Sequence, residues 1–241
     1  MGASSAAANT NAAAIRNIVV VSGGLGVPST SRMLGDRIAE AAAQSVEALG
    51  GNARVDVVEL REYAGDIANA MVSRYASPRL QAAIDVVTDA DALVAVSPVF
   101  TASVSGLFKS FLDVLDPSAL AGMPVVLAAT GGSARHSLVI DYALRPVFAY
   151  LKADVMPTGV FAAPGDWGGE GESGNDGDAL TSRTRRAGRE LGLALTAGAT
   201  GGPAGAVPGA NVGANSAEAA GMTSMPFEDL LASINGNRVR V

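Results

Sequence analysis

Cysteine is absent from the 241 residues, which removes disulfides, thiolate metal sites and cysteine nucleophiles together. Any redox chemistry in this chain needs a borrowed cofactor. Aromatic residues are scarce at 5%, histidine occurs once, at His136, and tryptophan once, at Trp167. Basic residues are outnumbered: 17 Lys and Arg stand against 23 Asp and Glu, for a net charge of −6. No basic stripe of the kind that neutralises a phosphate backbone exists, so nucleic acid is excluded as a partner. No apolar run approaches the roughly 18 residues of a membrane span. The first 15 residues are Ala, Ser and Asn without a positively charged start or a continuous apolar core, so they make no secretory signal. A cytoplasmic enzyme or binding protein is the class that remains.

Apolar residues make up 49% of the chain, enough for one sizeable core. Ile18 to Val21 is a β-branched block closed by Ser22-Gly23-Gly24, the mark of a buried parallel strand ending in a turn. Met33, Leu34, Ile38, Ala41, Ala42 and Val46 then fall at helical spacing, with Ser29, Thr30 and Ser31 as candidate N-caps. The alternation continues with strands at Val55–Leu60, Ala92–Val96, Val125–Ala129 and Val160–Ala163. Helices are expected at Pro78–Val87, Leu107–Leu115, Leu138–Leu151 and about Ala179–Thr196. Five strands alternating with helices predict a doubly wound α/β domain, a parallel sheet with helices on both faces. Its expected limits are residues 16–198, after a disordered segment 1–15. The Gly- and acid-rich stretch Ala163–Asp178 is expected to be a mobile surface loop. Residues 199–241 form a low-complexity tail in which Ala199–Gly221 is too poor in large apolar groups to pack, and Pro226–Ile234 suits one short helix.

In an open parallel sheet, ligands bind in the crevice outside the strand carboxyl ends, at the topological switch point. Three loops suit that place. In Ser22-Gly23-Gly24-Leu25-Gly26-Val27-Pro28-Ser29-Thr30-Ser31, small residues clear space and three hydroxyls meet a helix start, where backbone N–H groups and the helix dipole favour an anion. Ser29 stands where the third glycine of a dinucleotide fingerprint belongs, and no Gly-Lys-Ser/Thr follows, so a terminal monophosphate fits better than a pyrophosphate or triphosphate. The same residues also suit an ordinary capped helix. The second loop, Ser97-Pro98-Val99-Phe100-Thr101-Ala102-Ser103, reads as a rigid platform of exposed backbone suited to the edge of a flat ring, although Phe100 alone would pass for a packing residue. The third, Ala129-Thr130-Gly131-Gly132-Ser133-Ala134-Arg135-His136, has two glycines whose amides a ligand can approach closely. His136 is expected to pack or hydrogen-bond rather than to catalyse.

Pro28-Ser29-Thr30-Ser31, Ser97-Pro98-Val99-Phe100 with Ser105-Gly106-Leu107-Phe108-Lys109, and Ala129-Thr130-Gly131-Gly132 with His136 and Asp141-Tyr142-Ala143-Leu144-Arg145-Pro146-Val147 occur in an order and spacing that resemble the NADPH-dependent FMN reductase family. The resemblance is greatest to the flavin reductases that supply alkanesulfonate and luciferase-like monooxygenases, and it covers about Ile18 to Phe161. It implies a flavodoxin-like fold, a five-stranded parallel sheet in the order 2-1-3-4-5. It also implies FMN phosphate at Ser29, Thr30 and Ser31, the ring edge along Pro98, Val99, Phe100 and Thr101, and the pyrimidine end at Gly131, Gly132 and Ser133. Many relatives carry Gly-Ser-x-Arg where this chain has Gly23-Gly24-Leu25-Gly26, which leaves NADPH and NADH both open as the reductant. In the nearest relatives the position of Tyr142 lies in a widened helical turn at a subunit interface.

The activity the resemblance implies is hydride transfer from nicotinamide to FMN, with reduced flavin passed to a flavin-dependent monooxygenase. That chemistry belongs to the cofactors, so no catalytic side chain is expected. A quinone, azo or chromate reductase on the same scaffold is the near alternative. A flavodoxin-type electron carrier is a more distant one, because such carriers sandwich the ring between aromatics and this chain has few. Apolar stripes at Leu107, Phe108, Phe111, Leu112 and Leu115 and along Leu138–Leu151, with Tyr142 and Phe148 leaving residual surface, predict a homodimer or homotetramer.

Overall fold

The structure, a computed structural model, describes residues 14–167 and 176–200, with side chains for 14–167 and 180–197. The N-terminal segment to residue 13, residues 168–175 of the acidic loop and the tail beyond 200 lie outside the described residues, as does the expected helix at Pro226–Ile234.

The first strand, β1 (Ile15–Ser22), leads into α1 (Thr30–Ala48). Next come β2 (Asn52–Glu59), a short 3-10 helix (Leu60–Tyr63), α2 (Ala64–Ser73) and α3 (Pro78–Thr88). β3 (Ala92–Phe100) and the two-residue β4 (Ser103–Val104) precede α4 (Gly106–Val114) and β5 (Pro124–Thr130). A π-helical turn (Ile140–Leu144) runs into α5 (Arg145–Tyr150), followed by β6 (Asp154–Val155), β7 (Val160–Ala162), a 3-10 turn (Pro164–Trp167) and α6 (Asp176–Thr200).

The doubly wound parallel sheet is as expected in class, but it has seven strands rather than five. The order is β2-β1-β3-β5-β6, with β7 also pairing β5 and β4 pairing β3 antiparallel. The edge beyond β5 is thus shared by two short segments. β1 begins at Ile15, opposite Asn52, inside the stretch expected to precede the domain.

Period-two alternation sends successive strand residues to opposite faces. Ile18 and Val20 of β1, Val94 and Val96 of β3 and Val126 of β5 pack under α1 and α6, with Leu34, Ile38, Leu180 and Leu191. Val19, Val21, Leu93, Val125 and Leu127 pack on the other face, with Ile67, Leu80, Phe108, Phe111 and Phe148. On that face Phe148 sits against Phe108, ring centroids 6.5 Å apart. This corrects the expectation of residual apolar surface there: Phe108, Phe111 and Phe148 are core, because each helix turns them toward the sheet.

Within the stretch expected to be a mobile loop, the described residues 163–167 and 176–178 are ordered. Asp166 accepts the Ala163 N–H at 2.7 Å and pairs with Arg183 of α6, whose Nη1 donates to Phe161 O at 2.8 Å. Arg37 of α1 lies 5.1 Å over the Trp167 ring. These contacts fix Pro164–Trp167, and α6 already begins at Asp176.

Farther along α6, Glu190 accepts from the Thr158 amide at 2.9 Å and the Thr158 hydroxyl at 2.6 Å. Burial pushes its pKa up, but the Thr158 hydrogen bonds and the Arg186 guanidinium together outweigh that and hold it below the ordinary value of 4.5. A carboxylate with a depressed folded pKa adds stability that is present above its unfolded pKa and lost as pH falls through the folded one. Glu190→Ala is therefore expected to cost about 2 kcal/mol at pH 7, and that difference from the parent protein should shrink steadily below the ordinary Glu range. Urea unfolding of both proteins at neutral and acid pH measures it.

Candidate functional site

The loops after β1, β3 and β5 meet at one edge of the sheet. Ser22 of β1 is level with Val96 of β3, and Pro98 of β3 is level with Thr130 of β5. All of these strands run parallel, but β2 lies on one side of β1 and β3 on the other, so the strand order reverses between β1 and β3, which makes this edge the switch point.

In the first loop, Gly23 N donates to Val96 O at 2.8 Å, and Ser22 Oγ accepts from Gly24 N at 3.3 Å. A Cβ on Gly24 would fall 2.0 Å from Ser29 Oγ, so any side chain here would displace the Ser29 hydroxyl. The Val27–Pro28 peptide is cis. Ser29 caps α1, its hydroxyl accepting from Arg32 N at 3.2 Å. The Thr30 and Ser31 amides of the first turn have no intrahelical acceptor by geometry, which leaves the helix start open to an anion.

Ser31 does not face outward with Ser29 and Thr30. It is buried, and its hydroxyl bonds Thr130 Oγ1 of the third loop at 2.7 Å. That bond ties the first loop to the third across the end of β3. Thr130 was not among the expected site residues, because a threonine ending a strand carries no periodic signal of such a partner.

The second loop differs from the exposed platform expected. Pro98, Val99 and Phe100 continue β3, and Val99 pairs with Val104 across a tight hairpin whose Thr101 and Ala102 take φ of 48° and 62°. Left-handed conformation at both central residues matches the twist of a two-residue hairpin, so the strand runs on where the sequence suggested a loop. The Pro98 carbonyl is also occupied: Ser105 N donates to it at 3.1 Å and to Ser97 Oγ at 2.9 Å. Phe100 remains exposed at the hairpin end, and the Ser105 hydroxyl is buried without a partner.

In the third loop Gly131 N donates to Ala162 O at 3.1 Å, so its amide is committed to the sheet and unavailable to a ligand, contrary to expectation. Close packing explains the glycine, since a Cβ there would meet Phe161 Cζ at 2.9 Å. Gly132 has open space at the same place. Ser133 caps the short 3-10 helix Ala134–His136 through Arg135 N at 3.3 Å. His136 is half-buried and its Nδ1 has no partner. The π-helical turn Ile140–Leu144 falls where the resemblance implied a widened turn, and it leaves Tyr142 79% exposed.

A further group lies at the end of β2 beside the first loop. Arg61 Nη1 donates to Gly26 O at 3.1 Å, and its Nη2 pairs with Glu59 Oε2 at 2.7 Å. The other Glu59 oxygen accepts from Arg32 Nη1 at 3.0 Å, and Arg32 Nε pairs with Asp36. In the sequence these residues look like ordinary surface charge, and only the fold brings them to Gly26.

The residues at this edge suit FMN on three observations: the first-turn amides of α1, which lack intrahelical acceptors, glycine where Gly24 meets Ser29, and the unpartnered Ser105 hydroxyl at the start of α4. Among the described residues, no helix is long and apolar enough to cross a membrane.

The sequence pattern of the NADPH-dependent FMN reductase family matches residues 16–168. The chain is 40% identical to the NADH-dependent FMN reductase SfnF of Pseudomonas putida, over 64% of this chain and 80% of that protein. It is 38% identical to an FMN reductase (NADPH) of Pseudomonas aeruginosa, over 62% and 78%. Among solved structures, an oxidoreductase from Corynebacterium diphtheriae superposes with a TM-score of 0.72 at 44% identity, covering 76% of this chain and 98% of that one. The apo form of the NADH:FMN oxidoreductase EMOB superposes with a TM-score of 0.60 at 29% identity, covering 75% and 90%. The matched stretch spans all three loops and the sheet that carries them, and the chain belongs to the NADPH-dependent FMN reductase family, oxidoreductases that use FMN and NAD(P)H.

Proposed function

We propose that this reductase binds FMN with its phosphate at the start of α1, by Ser29, Thr30 and the first-turn amides, and its ring against the β3–β4 hairpin at Pro98–Thr101. The pyrimidine end then lies toward Gly132 and Ser133. The observation that carries this reading is the Ser31–Thr130 hydrogen bond, which joins the first and third loops into one rim around the end of β3. Bound flavin supplies acceptance of a hydride from nicotinamide. The protein's part is placement: the helix start neutralises the phosphate, and the hairpin supplies a fixed wall, so the rings meet without a side-chain acid or base.

The reduced product is proposed to leave for a flavin-dependent monooxygenase. Steady-state oxidation of NADH and of NADPH with FMN, FAD, riboflavin and a quinone as alternative acceptors tests the reading. FMN should be the most efficient acceptor. Quinone turnover that needs one equivalent of retained FMN, with no turnover on free flavin, would assign the chain to the quinone reductases instead.

The His136→Asn variant should keep turnover within a few-fold of the parent at saturating flavin and nucleotide. A hundredfold fall in a folded variant is the size of a lost general acid or base and would give the imidazole a catalytic role.

A homodimer or homotetramer is proposed through the groove of about 430 Å³ between α4 and α5, lined by Leu112, Leu115, Pro146, Val147, Tyr150 and Leu151. Tyr150 of this groove is 73% exposed, so its ring offers apolar surface to a second copy. Sedimentation of a monomer at micromolar concentration in the presence of FMN would rule this out.

A further inference from the structure

We propose that Arg61 is a positioning residue for the phosphate loop, acting through the Gly26 carbonyl rather than touching the ligand. The inference rests on the reading of the first loop as the phosphate site. Arg61 lies two residues past the end of β2, and its side chain crosses to the neighbouring loop to donate to Gly26 O at 3.1 Å. In a trans peptide the carbonyl and the following N–H point in opposite directions. A carbonyl held toward Arg61 therefore directs the Val27 N–H away from it, and the guanidinium polarises that same peptide unit and strengthens its N–H as a donor.

The arginine is itself held. Glu59 accepts from Arg61 with one carboxylate oxygen and from Arg32 with the other, and Arg32 pairs with Asp36 one turn farther along α1. The chain Asp36–Arg32–Glu59–Arg61–Gly26 links the first turns of α1, the end of β2 and the middle of the loop. Its two cations and two carboxylates cancel, so it contributes geometry rather than net charge. The surroundings give the loop reason to need such a tie. Leu25 and Val27 are 51% and 81% exposed, so burial does little to hold this stretch.

The test compares FMN and riboflavin binding by flavin fluorescence in the full chain, with Arg61→Met, Arg61→Lys and Glu59→Gln. The parent protein should bind FMN more tightly than riboflavin. Arg61→Met should lose about tenfold in FMN affinity with riboflavin unchanged, and Arg61→Lys, which can donate to Gly26 O but cannot also hold Glu59 in the same fork, should recover part of it. Glu59→Gln should also weaken FMN, because it releases Arg61 from its anchor. Tighter FMN binding in Glu59→Gln would show that the arginine acts by its charge on the phosphate and would overturn the positioning role. An unchanged FMN-to-riboflavin ratio in Arg61→Met, against a parent that discriminates, would overturn it as well. A parent that binds both flavins equally would instead remove the phosphate site itself. Should Arg61→Met fail to fold, the signs of the Arg61→Lys and Glu59→Gln effects decide the matter.

Discussion

Replacing Ser29 and Ser31 together by alanine is expected to weaken FMN by ten- to thirtyfold while riboflavin changes little. Ser29 fixes the first turn of α1 by capping Arg32 N, and an N-cap of this kind is worth about 1 kcal/mol. Ser31 anchors the same turn from below through Thr130, a buried hydrogen bond worth about another 1 kcal/mol. Two such losses, expressed wholly in binding, amount to roughly thirtyfold. The phosphate bears most of the loss because both residues shape the helix start, whereas the hairpin at Pro98–Thr101 is untouched. Dissociation constants for the two flavins on the double variant check it, and equal weakening of both would show that no phosphate sits there.

The largest effect on stability is expected at Gly188. Helices α1 and α6 pack closely because glycines on α6 face small residues on α1: a Cβ on Gly188 would lie 2.5 Å from Ala41 Cβ and 2.7 Å from Ala42 N, and one on Gly192 would lie 2.5 Å from Ser45 Cβ. The Gly188 contact is with backbone, which cannot rotate aside, so the helices must separate. Gly188→Ala should cost about 3 kcal/mol or more, a fall in Tm of roughly 6–12 °C for a domain of this size. Thermal unfolding followed by circular dichroism gives the value. A fall under about 2 °C would mean that α6 shifts on α1 without penalty. Because α1 also presents the helix start, FMN affinity should fall along with stability.

Much of this architecture was legible in the sequence. Ile18–Val21, Ala92–Val96 and Val125–Ala129 are buried on both faces, and such strands write themselves as continuous apolar runs that a short window detects. Their glycine- and serine-rich sequels marked the edge at which the loops gather. Three features did not show. Helix α2 was missed because only Ile67 and Ala70 are buried and no side chain caps it, which leaves almost no helical period to see. The β3–β4 hairpin was hidden because Thr101 and Ala102 adopt left-handed backbone that a sequence normally signals with Gly or Asn. The commitments of Ser31, Gly131 and Arg61 were invisible because their partners, Thr130, Ala162 and Gly26, lie 99, 31 and 35 positions away. Residue type indicated what each group could bond, and only the fold indicated to which atom.

Of the six polar side chains buried among the described residues, Ser22, Ser31, Ser97, Ser105 and Thr130 line the carboxyl edge of the sheet, and every one is a hydroxyl. A hydroxyl rotates between donating and accepting, and either oxygen of the Ser31–Thr130 pair is able to be the donor. The Ser31–Thr130 bond can thus reverse its sense by rotation alone, without a proton exchanged with water. A carboxylate or imidazole in either place would have tied that bond to pH. The tie between the first and third loops carries no charge, and its sense changes by a rotation.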